Sequence, residues 1–511
     1  GKIGTGTAAA ALFVTQGGRI FAEGTPDNPI VFTSELDGTV GETVNVGESN
    51  LGVLASSLWG GVVVLGKASL NSAKNNTGNT SNPKYDVFEG LQDVQASAVA
   101  GSNGSAQFLH RFGGGDDDDS SGVIRYVQIR YPGTTFFQDS ELNGLTLGGV
   151  GRNTVLEYVE VLGSSDDGFE WWGGTVNSKY LVAAYCQDDS FDVDQGYRGK
   201  NQFWLVLQGT AGADHGGEID GDLEPGNNNT PLGQWEVYNA TFIGVSGEEA
   251  FQFSDQARPR IRNSVFTGFS TRIDWQPDNA GALAAGDVIV KNNIWDPGIA
   301  TLQDGDLPAG DVLFTDTTFT NLVISAQLRS SDNGQNGVLD PRPLGGSPAL
   351  DPSNLAPTTD PFYTPAPYIG AFSENDLWIT RWTSLAQLGV VSQNGKGGQI
   401  IQVNNTSIAG TVNWYRTNTY VLNNFVYVED GEVLNIEAGT VIKGKIGTGT
   451  AAAALFVTQG GKINAIGSPH NPIVFTSELD GTVGATVNVG ESDLGLLGSS
   501  LWGGVVVLGK A

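Results

Sequence analysis

The chain has 511 residues, of which 55 are acidic and 26 are basic, so its formal net charge is −29 at neutral pH. This charge repels nucleic acid and anionic membrane surfaces and makes divalent cations the natural counterions. The 73 glycines are typical of an all-β protein rich in turns, and no apolar run approaches the roughly 20 residues of a membrane helix. We therefore expect no nucleic-acid partner and no membrane insertion.

The first predicted element recurs later in the chain. Residues Gly1 to Ala68 match Gly444 to Ala511 at 59 of 68 positions without a gap, which sets a period of 443 residues. A fixed long period indicates a tandem array. We expect the chain to be a window on a longer polypeptide, in which a counterpart of Trp414 to Lys443 precedes Gly1.

The differences between the two copies have the period of a β-strand. Ile20 and Ala22 are unchanged, whereas every second residue around them differs. Alternate residues of a strand point to opposite faces, and buried positions tolerate volume changes poorly. The varied face is therefore expected to point outward. The differing pairs are Arg19/Lys462, Phe21/Asn464, Glu23/Ile466, Thr25/Ser468 and Asp27/His470.

From Gly122 onward, runs rich in β-branched and aromatic residues recur every 22 to 33 residues. Coils of that length, each with short strands and tight turns, favour a right-handed parallel β-helix, tandemly repeated. An antiparallel sandwich would show more closely spaced hairpin signals, which are sparse here. The runs cover residues 123–131, 154–163, 178–186, 202–209, 235–244, 259–269 and 288–296.

Three parts of the chain are predicted from these patterns. Residues 1–388 form a β-helix repeat unit that lacks its first coil, and its section 340–367 is a Pro-rich loop or cap, because eight prolines are too many for paired strands. Residues 389–411 form a connector. Residues 412–511 form the N-terminal coils of the next β-helix unit.

Four short acidic segments align without gaps and give a second register. They begin at Asp166, Asp188, Asp214 and Glu248, each close behind a β run. Coiling is expected to stack Phe169, Phe191 and Phe251 inward. The fifth residues of the four segments, Glu170, Asp192, Glu218 and Gln252, are then expected to face outward, one above another.

The acidic register is the best candidate binding site in the sequence. Neighbouring coils bring carboxylates within several ångströms, and Ca²⁺ prefers six to eight oxygen ligands. The alternative is that Asp residues only cap tight turns. The candidate metal ligands are Asp166, Asp167, Asp188, Asp189, Asp192, Asp194, Asp214, Glu218, Asp220 and Asp222.

An enzyme is the competing interpretation of the same region. Arg198 and Lys200 follow the acidic turns, and a basic residue beside calcium can abstract a proton from a polysaccharide. Basic residues near carboxylates are more often ion pairs, and His215 is expected to be a turn residue. No catalytic residue is therefore assigned.

Aromatic residues of the middle coils offer a second ligand hypothesis. Outward-facing rings would stack on carbohydrate, whereas inward-facing rings would form the core or a subunit contact. The sequence favours the core without excluding the sugar platform. The rings are Trp171, Trp172, Tyr197, Trp204 and Trp235.

Several segments resemble a widespread family of β-helical surface proteins. They include NGLTLGGVGRNTVLEYVEV, SSDDGFEWWGGTVNSKYLVA, LNIEAGTVIKGKIG and the segment YIGAFSENDLWITRWTSL at 368–385. The family occurs in gliding Bacteroidota-type bacteria and is commonly exported by the type IX secretion system. The near-identical long repeats and the methionine-free acidic sequence are also similar to filament proteins of grappling-hook appendages of predatory marine bacteria.

The resemblance implies an extracellular or cell-surface protein with no established catalytic residues. With the repeat, it predicts a structural subunit of an extracellular filament or adhesive appendage, whose partners are copies of itself and cell-surface carbohydrate. The alternative function is a surface protein that binds or degrades polysaccharide.

Overall fold

The computed structural model describes residues 1–4, 9–72, 84–88, 91, 95–96, 107–137, 140–210, 212–222, 229–295, 339–343, 346–374, 376–391, 399–416, 418–467, 472–485, 487–492, 494 and 501–509. The chain divides into two compact units. The first comprises Gly1–Val323, Gly345–Phe372 and Trp382–Ser384, and the second comprises Ile324–Leu344, Ser373–Arg381 and Leu385–Ala511. Each unit contains stacked parallel coils, which confirms the predicted all-β parallel β-helix.

One face of the first unit is an eight-stranded parallel sheet, called sheet A here. Each coil contributes one short strand, and successive coils pair in register. Phe169 pairs with Phe191 and both side chains are buried, as the predicted inward stack requires. In order, its strands are Leu12–Val14, Val62–Leu65, Leu145–Gly148, Phe169–Trp172, Phe191–Asp194, Glu218–Asp220, Glu249–Ser254 and Thr271–Trp275.

A twelve-stranded parallel sheet, called sheet B, forms the remaining coil faces. Its middle coils contain strands of eight or nine residues, and its later coils contain two short strands each. The strands are Ile20–Glu23, Ile30–Phe32, Gly122–Arg130, Val155–Leu162, Asn177–Ala184, Lys200–Leu207, Glu236–Tyr238, Thr241–Ile243, Arg260–Arg262, Val265–Thr267, Ile289–Lys291 and Ile294–Trp295.

Every coil of sheet B from Gly122 onward bends at one left-handed residue. These residues form a row across the sheet, called the bend row, with φ between 50° and 61°. Asn adopts this conformation readily, whereas Tyr and Phe do so at a steric cost. Stacking of the Tyr126, Tyr158 and Tyr180 rings, with centroids 4.4 and 4.2 Å apart, offsets that cost. The bend row comprises Tyr126, Tyr158, Tyr180, Phe203, Asn239, Asn263 and Asn292.

An irregular segment lies against the outer side of sheet B. It is called the strap and comprises residues 354–372 and 382–384, so it includes much of the predicted Pro-rich section 340–367. The Trp382 ring meets the Tyr126 and Tyr158 rings edge-on at 5.9 Å. Three bend-row amides donate to strap carbonyls: Asn239 to Tyr368 at 2.8 Å, Asn263 to Ala356 at 3.1 Å and Asn292 to Asn354 at 2.9 Å.

Elements outside the two sheets are short. Three antiparallel pairs join Tyr85–Val87 to Arg111–Gly113, Gln95–Ala96 to Gln107–Phe108, and Thr135–Phe137 to Ser140–Glu141. In the described parts of the chain, the helices are Ala280–Ala284 and Ser384–Gln387, and the 3-10 turns are Pro277–Asn279, Pro348–Leu350, Pro352–Asn354 and Gly449–Ala451. No helix within the described ranges is long and apolar enough to cross a membrane.

The second unit has three parallel sheets around its own core. Its first strand lies inside the predicted connector 389–411, so its paired coils begin before Val412. One sheet contains Gln399–Val403, Asn418–Leu422, Val441–Gly444 and Val474–Ser477; the second contains Thr411–Trp414, Val433–Ile436 and Lys462–Ala465; the third contains Phe425–Val428, Ala454–Val457 and Val505–Val507.

Candidate functional site

The outward residues of sheet A form an acidic row. This row and the turns that precede its strands are together called the acidic face. Glu170 pairs in register with Asp192, Asp192 with Glu218, and Glu218 with Gln252. This is the outward register predicted from the aligned segments. Because adjacent parallel strands lie about 4.8 Å apart, the row brings carboxylates from successive coils close together.

The turns before these strands form a ladder of side chain to backbone hydrogen bonds. The Asn143 Oδ1 accepts from the Asp167 N–H at 3.2 Å, and the Asp167 Oδ1 accepts from the Asp189 N–H at 3.1 Å. The Asp189 Oδ1 accepts from the His215 N–H at 2.7 Å. Asp167 and Asp189 thus satisfy backbone donors of the next coil, as the turn-capping alternative requires.

Three groups within the described ranges have the spacing of metal ligands. In each group, one ligand atom per residue lies within 4.8 Å of the others. The groups are Asp166 with Asp167 and Asp188, Asp167 with Glu170 and Asp192, and Asp214 with His215 and Glu249. Half of the predicted ligands, namely Asp166, Asp167, Asp188, Asp192 and Asp214, therefore fall into such groups.

The remaining predicted ligands have other surroundings. Asp189 and Glu218 lie in the same face but belong to none of the three groups. Asp194 is buried, the Asp220 carboxylate accepts from the Ser254 hydroxyl, and the Asp222 carboxylate accepts from the Asn229 N–H at 3.1 Å. The acidic face is thus divided into a clustered part and a separately hydrogen-bonded part.

Three clustered residues were absent from the predicted ligand set. Glu170, His215 and Glu249 occupy aligned positions of the same four acidic segments, so the alignment contained the signal. Glu170 is buried and accepts from the Asn143 amide and the Trp172 indole N–H. These donors hold the carboxylate toward Asp167 and Asp192.

Burial and mutual repulsion raise the pKa values of several carboxyls of the acidic face. Burial, followed by the charges of neighbouring carboxylates, raises the pKa of Asp167 and of Asp192 well above the ordinary Asp value. Burial raises the pKa of Asp220 to about 7, and it raises the pKa of Asp189 although the hydrogen bond with His215 opposes that shift. Carboxyls of this kind can be stabilised by a bound proton or by a bound cation.

His215 forms a close pair with Asp189 instead of serving only as a turn residue. The Nδ1 atom of His215 lies 2.9 Å from the Asp189 carboxylate, and its Nε2 lies 3.6 Å from Asp214. Although burial opposes it, the interaction with Asp189 raises the pKa of His215 to about 9. The imidazolium therefore offsets part of the local negative charge at neutral pH.

The two basic residues considered for catalysis are engaged in ion pairs. Both Asp117 oxygens lie 3.0 Å from Arg198 Nη2, and Asp117 also accepts from the Ser69 N–H. The Lys200 ammonium is bonded to the Asp360 carboxylate. This arrangement matches the ion-pair interpretation and gives neither residue a free role as a base.

The aromatic sugar platform predicted as an alternative is wrong for these rings. All five rings are buried, and the Trp171 and Trp204 centroids lie 5.3 Å apart in the core. Trp204 also stacks on Trp235 at 5.8 Å, and Trp171 stacks on Tyr197 at 5.4 Å. Trp172 packs between Phe88 and Phe112 at the side of the coil. The platform hypothesis failed because aromatic residues occur both in cores and on binding surfaces, and their sequence positions did not show which way the rings point.

Comparison with known families agrees with the stacked coils. The family model described as a pectate-lyase-like β-helix domain matches residues 2–336 and 406–511. No curated protein and no solved structure matches the chain significantly. Since the matched residues include most of the chain and coils of both units, the chain belongs to the family of pectate-lyase-like β-helix domains.

Proposed function

We propose that the chain is a structural part of an extracellular fibre or adhesive appendage built from tandem β-helices. One observation carries the proposal: the two copies of the 68-residue sequence form the same strands in both units. Leu12–Val14 corresponds to Ala454–Val457, and Val62–Leu65 corresponds to Val505–Val507, and in both copies the two strands pair in parallel. A rod gains length with every repeated unit, whereas an enzyme gains little from near-identical active sites fused in one chain.

The second unit supports this proposal because it shows how a preceding coil fits the repeated sequence. Phe425–Val428 pairs with Ala454–Val457, and Val433–Ile436 pairs with Lys462–Ala465. Four apolar side chains of this segment, Tyr420, Val426, Leu434 and Ile436, are all buried. A stack of coils can therefore continue on the N-terminal side of the repeated sequence with matched packing.

The proposed fibre includes Ca²⁺ at the acidic face. The support is chemical: three carboxylates converge in two of the clusters, and hard oxygen donors suit Ca²⁺. Asp167 and Asp192 have raised pKa values, so a cation would remove the repulsion that otherwise favours proton binding. The ion would join coils by neutralising the face and would supply no catalytic step.

Export to the cell surface is part of the same proposal. The acidic composition and the resemblance to Bacteroidota-type surface proteins support type IX secretion and a role in a grappling-hook filament. Copies of the chain and surface carbohydrate are the proposed partners.

Electron microscopy of recombinant proteins with different numbers of units tests the fibre. Two and four successive copies of residues 1–443, each protein preceded by residues 414–443, would be compared at equal mass concentration. We expect rods whose length doubles, because each coil adds about 4.8 Å along the stack. Compact particles that grow in all directions would contradict the proposal.

Polysaccharide degradation is the second candidate, favoured by the pectate-lyase-like family. Its test is incubation with acidic and neutral polysaccharides while unsaturated and reducing ends are measured, with and without Ca²⁺. Turnover that is lost in R198A would support an enzyme. The Arg198 to Asp117 ion pair leads us to expect no turnover in either protein.

A further inference from the structure

The second unit has an open groove of about 500 Å³ on the outer side of one of its sheets. Residues of three successive strands and the turns after them line this groove, and Glu374 adds one wall. Its size falls within the range of small-ligand sites. The groove is separate from the acidic face, which lies in the first unit.

Three stacked amides form the floor of the groove. The Asn435 Nδ2 donates to the Asn413 Oδ1 at 2.8 Å, and the Asn464 Nδ2 donates to the Asn435 Oδ1 at 2.7 Å. Each amide has two N–H donors and an oxygen with two lone pairs, so the ladder leaves donors and acceptors available along its length. The spacing of these groups follows the stacking of the coils.

The groove combines this polar floor with exposed apolar side chains. Tyr415 is 52% exposed and Ile466 is 81% exposed. A tyrosine ring offers an apolar surface to the C–H face of a ligand and a hydroxyl for hydrogen bonding. The groove therefore suits a ligand with apolar faces and hydroxyl edges.

Charge limits the class of ligand further. Glu437 lines the groove but is bonded to the Arg416 guanidinium, which also donates to the backbone oxygen of Glu374. This ion pair compensates one carboxylate, while the chain as a whole carries a net charge of −29. Anionic ligands are disfavoured, because no cationic side chain lines the groove within the described ranges.

Comparison of the two copies shows that the groove depends on positions that differ between them. Asn464 and Ile466 replace Phe21 and Glu23 of the first copy. In the first unit, Phe21 is 67% exposed and the Glu23 carboxylate lies 3.9 Å from Arg125. The same strand position therefore presents amide and aliphatic groups in one unit and an aromatic ring and a charge in the other.

We propose that the groove of the second unit binds a neutral saccharide, as one or two residues of a longer glycan. Hydroxyl groups both donate and accept, so they match the amide ladder, and the C–H face of a pyranose matches Tyr415. This proposal rests on the surface carbohydrate partner of the proposed function and assigns that partner a site and a chemical class. A constant β-helical scaffold would then present a glycan site whose chemistry changes from unit to unit.

Calorimetric titration of the full 511-residue chain tests this proposal. The probes are neutral oligosaccharides of glucose, mannose, galactose and N-acetylglucosamine, with polygalacturonate and alginate as anionic probes. We expect binding of at least one neutral oligosaccharide and none of the anionic ones. N464F and I466E install residues that the first copy carries at these positions, so the strand tolerates them, and each should weaken binding at least tenfold.

K462R is the matched control, because it also installs a first-copy residue on this strand but does not line the groove. It should leave binding unchanged, and the melting temperatures of all three variants should stay within about 2 °C of the wild type. Absence of neutral saccharide binding, or binding unaffected by N464F, would overturn the proposal. If the chain binds no saccharide but self-associates, and N464F abolishes the self-association, the groove binds a second copy instead. Rods seen by microscopy would still support the proposed fibre.

Discussion

Replacement of Asp192 by Asn tests whether repulsion between the carboxylates of the acidic face destabilises the folded state. Ligand atoms of Asp167, Glu170 and Asp192 lie within 4.8 Å of one another, and burial together with these charges raises the pKa of Asp192 well above its ordinary value. Asn has nearly the same shape but no charge. The D192N variant should therefore be more stable than the wild type at neutral pH without Ca²⁺.

The size of the effect has an upper limit. At 4.8 Å and an effective dielectric constant of about 20, each charged pair repels by about 3.5 kcal/mol. The wild type can avoid this repulsion by binding a proton, which at pH 7 costs about 4 kcal/mol relative to an unfolded Asp of pKa about 3.9. We expect D192N to gain about 2–4 kcal/mol at pH 7.

The sign of the pH dependence follows from the raised pKa. Between the ordinary Asp pKa and the raised one, the folded state binds more protons than the unfolded chain, so wild-type stability falls as pH rises through this window. The gain of D192N should therefore be near zero at pH 4 and largest at pH 7 to 8. For a unit of roughly 350 residues, the gain corresponds to about 3–6 °C in melting temperature.

Scanning calorimetry in EGTA and in millimolar Ca²⁺ provides the assay. Ca²⁺ should raise the melting temperature of the wild type more than that of D192N, since the variant lacks one carboxylate of the cluster. D118N removes a carboxylate whose side chain is 69% exposed and should change stability by less than about 0.5 kcal/mol. A D192N variant less stable than the wild type at pH 8 in EGTA would refute the reasoning.

Three further predictions concern the stack itself. F191A should lose about 3–5 kcal/mol in urea unfolding, because Phe191 is 1% exposed in the core of the first unit. G122A should unfold at least about 5 °C lower, since φ is +108° and a Cβ would lie 1.9 Å from the Ile20 carbonyl oxygen; a shift below 1 °C would contradict the pairing of these coils. A Gly1–Leu388 fragment should be poorly soluble or oligomeric, because an unpaired strand edge promotes aggregation. Fusion of residues 414–443 to its N-terminus should restore a soluble monomer. Size-exclusion chromatography compares the two forms, and a soluble monomer without the added segment would contradict this prediction.

The register of sheet A could be predicted because two signals agree in it. Aligned acidic segments fix which residues stack, and the two-residue period of a strand then fixes which side chains point inward. Phe169 and Phe191 thus follow from the sequence, as does the outward row from Glu170 to Gln252. Repetition made the prediction strong, because a wrong alignment of the acidic segments would have shifted the register of every coil.

The bend row could not be predicted from local preferences. Tyr126, Tyr158 and Tyr180 adopt a left-handed conformation that bulky residues usually avoid. Ring stacking between coils supplies the compensation, and such stacking is known only once the register in space is known. The docking of the strap was also hidden, since three of its attachments use backbone carbonyls, which have no sequence signature.

Contacts between residues far apart in the chain could not be predicted from the sequence, and they limited the prediction of the site. Arg198 and Asp117 are 81 residues apart, and their bidentate contact depends on how the side loops fold against the stack. His215 could be placed in a turn but not beside the Asp189 carboxylate. Sequence spacing predicts which coil a residue belongs to, whereas its partner depends on the geometry of the turns.

The strap has a mechanical consequence if the chain forms the proposed fibre. Tension along the stack pulls successive coils apart and loads the hydrogen bonds between parallel strands directly. The strap contacts coils from Tyr126 to Asn292, and its attachments at Asn239, Asn263 and Asn292 each hold a different coil. In the proposed fibre, separation of these coils requires the strap to lengthen or one of its attachments to break, so the strap would share the load with the hydrogen bonds between strands.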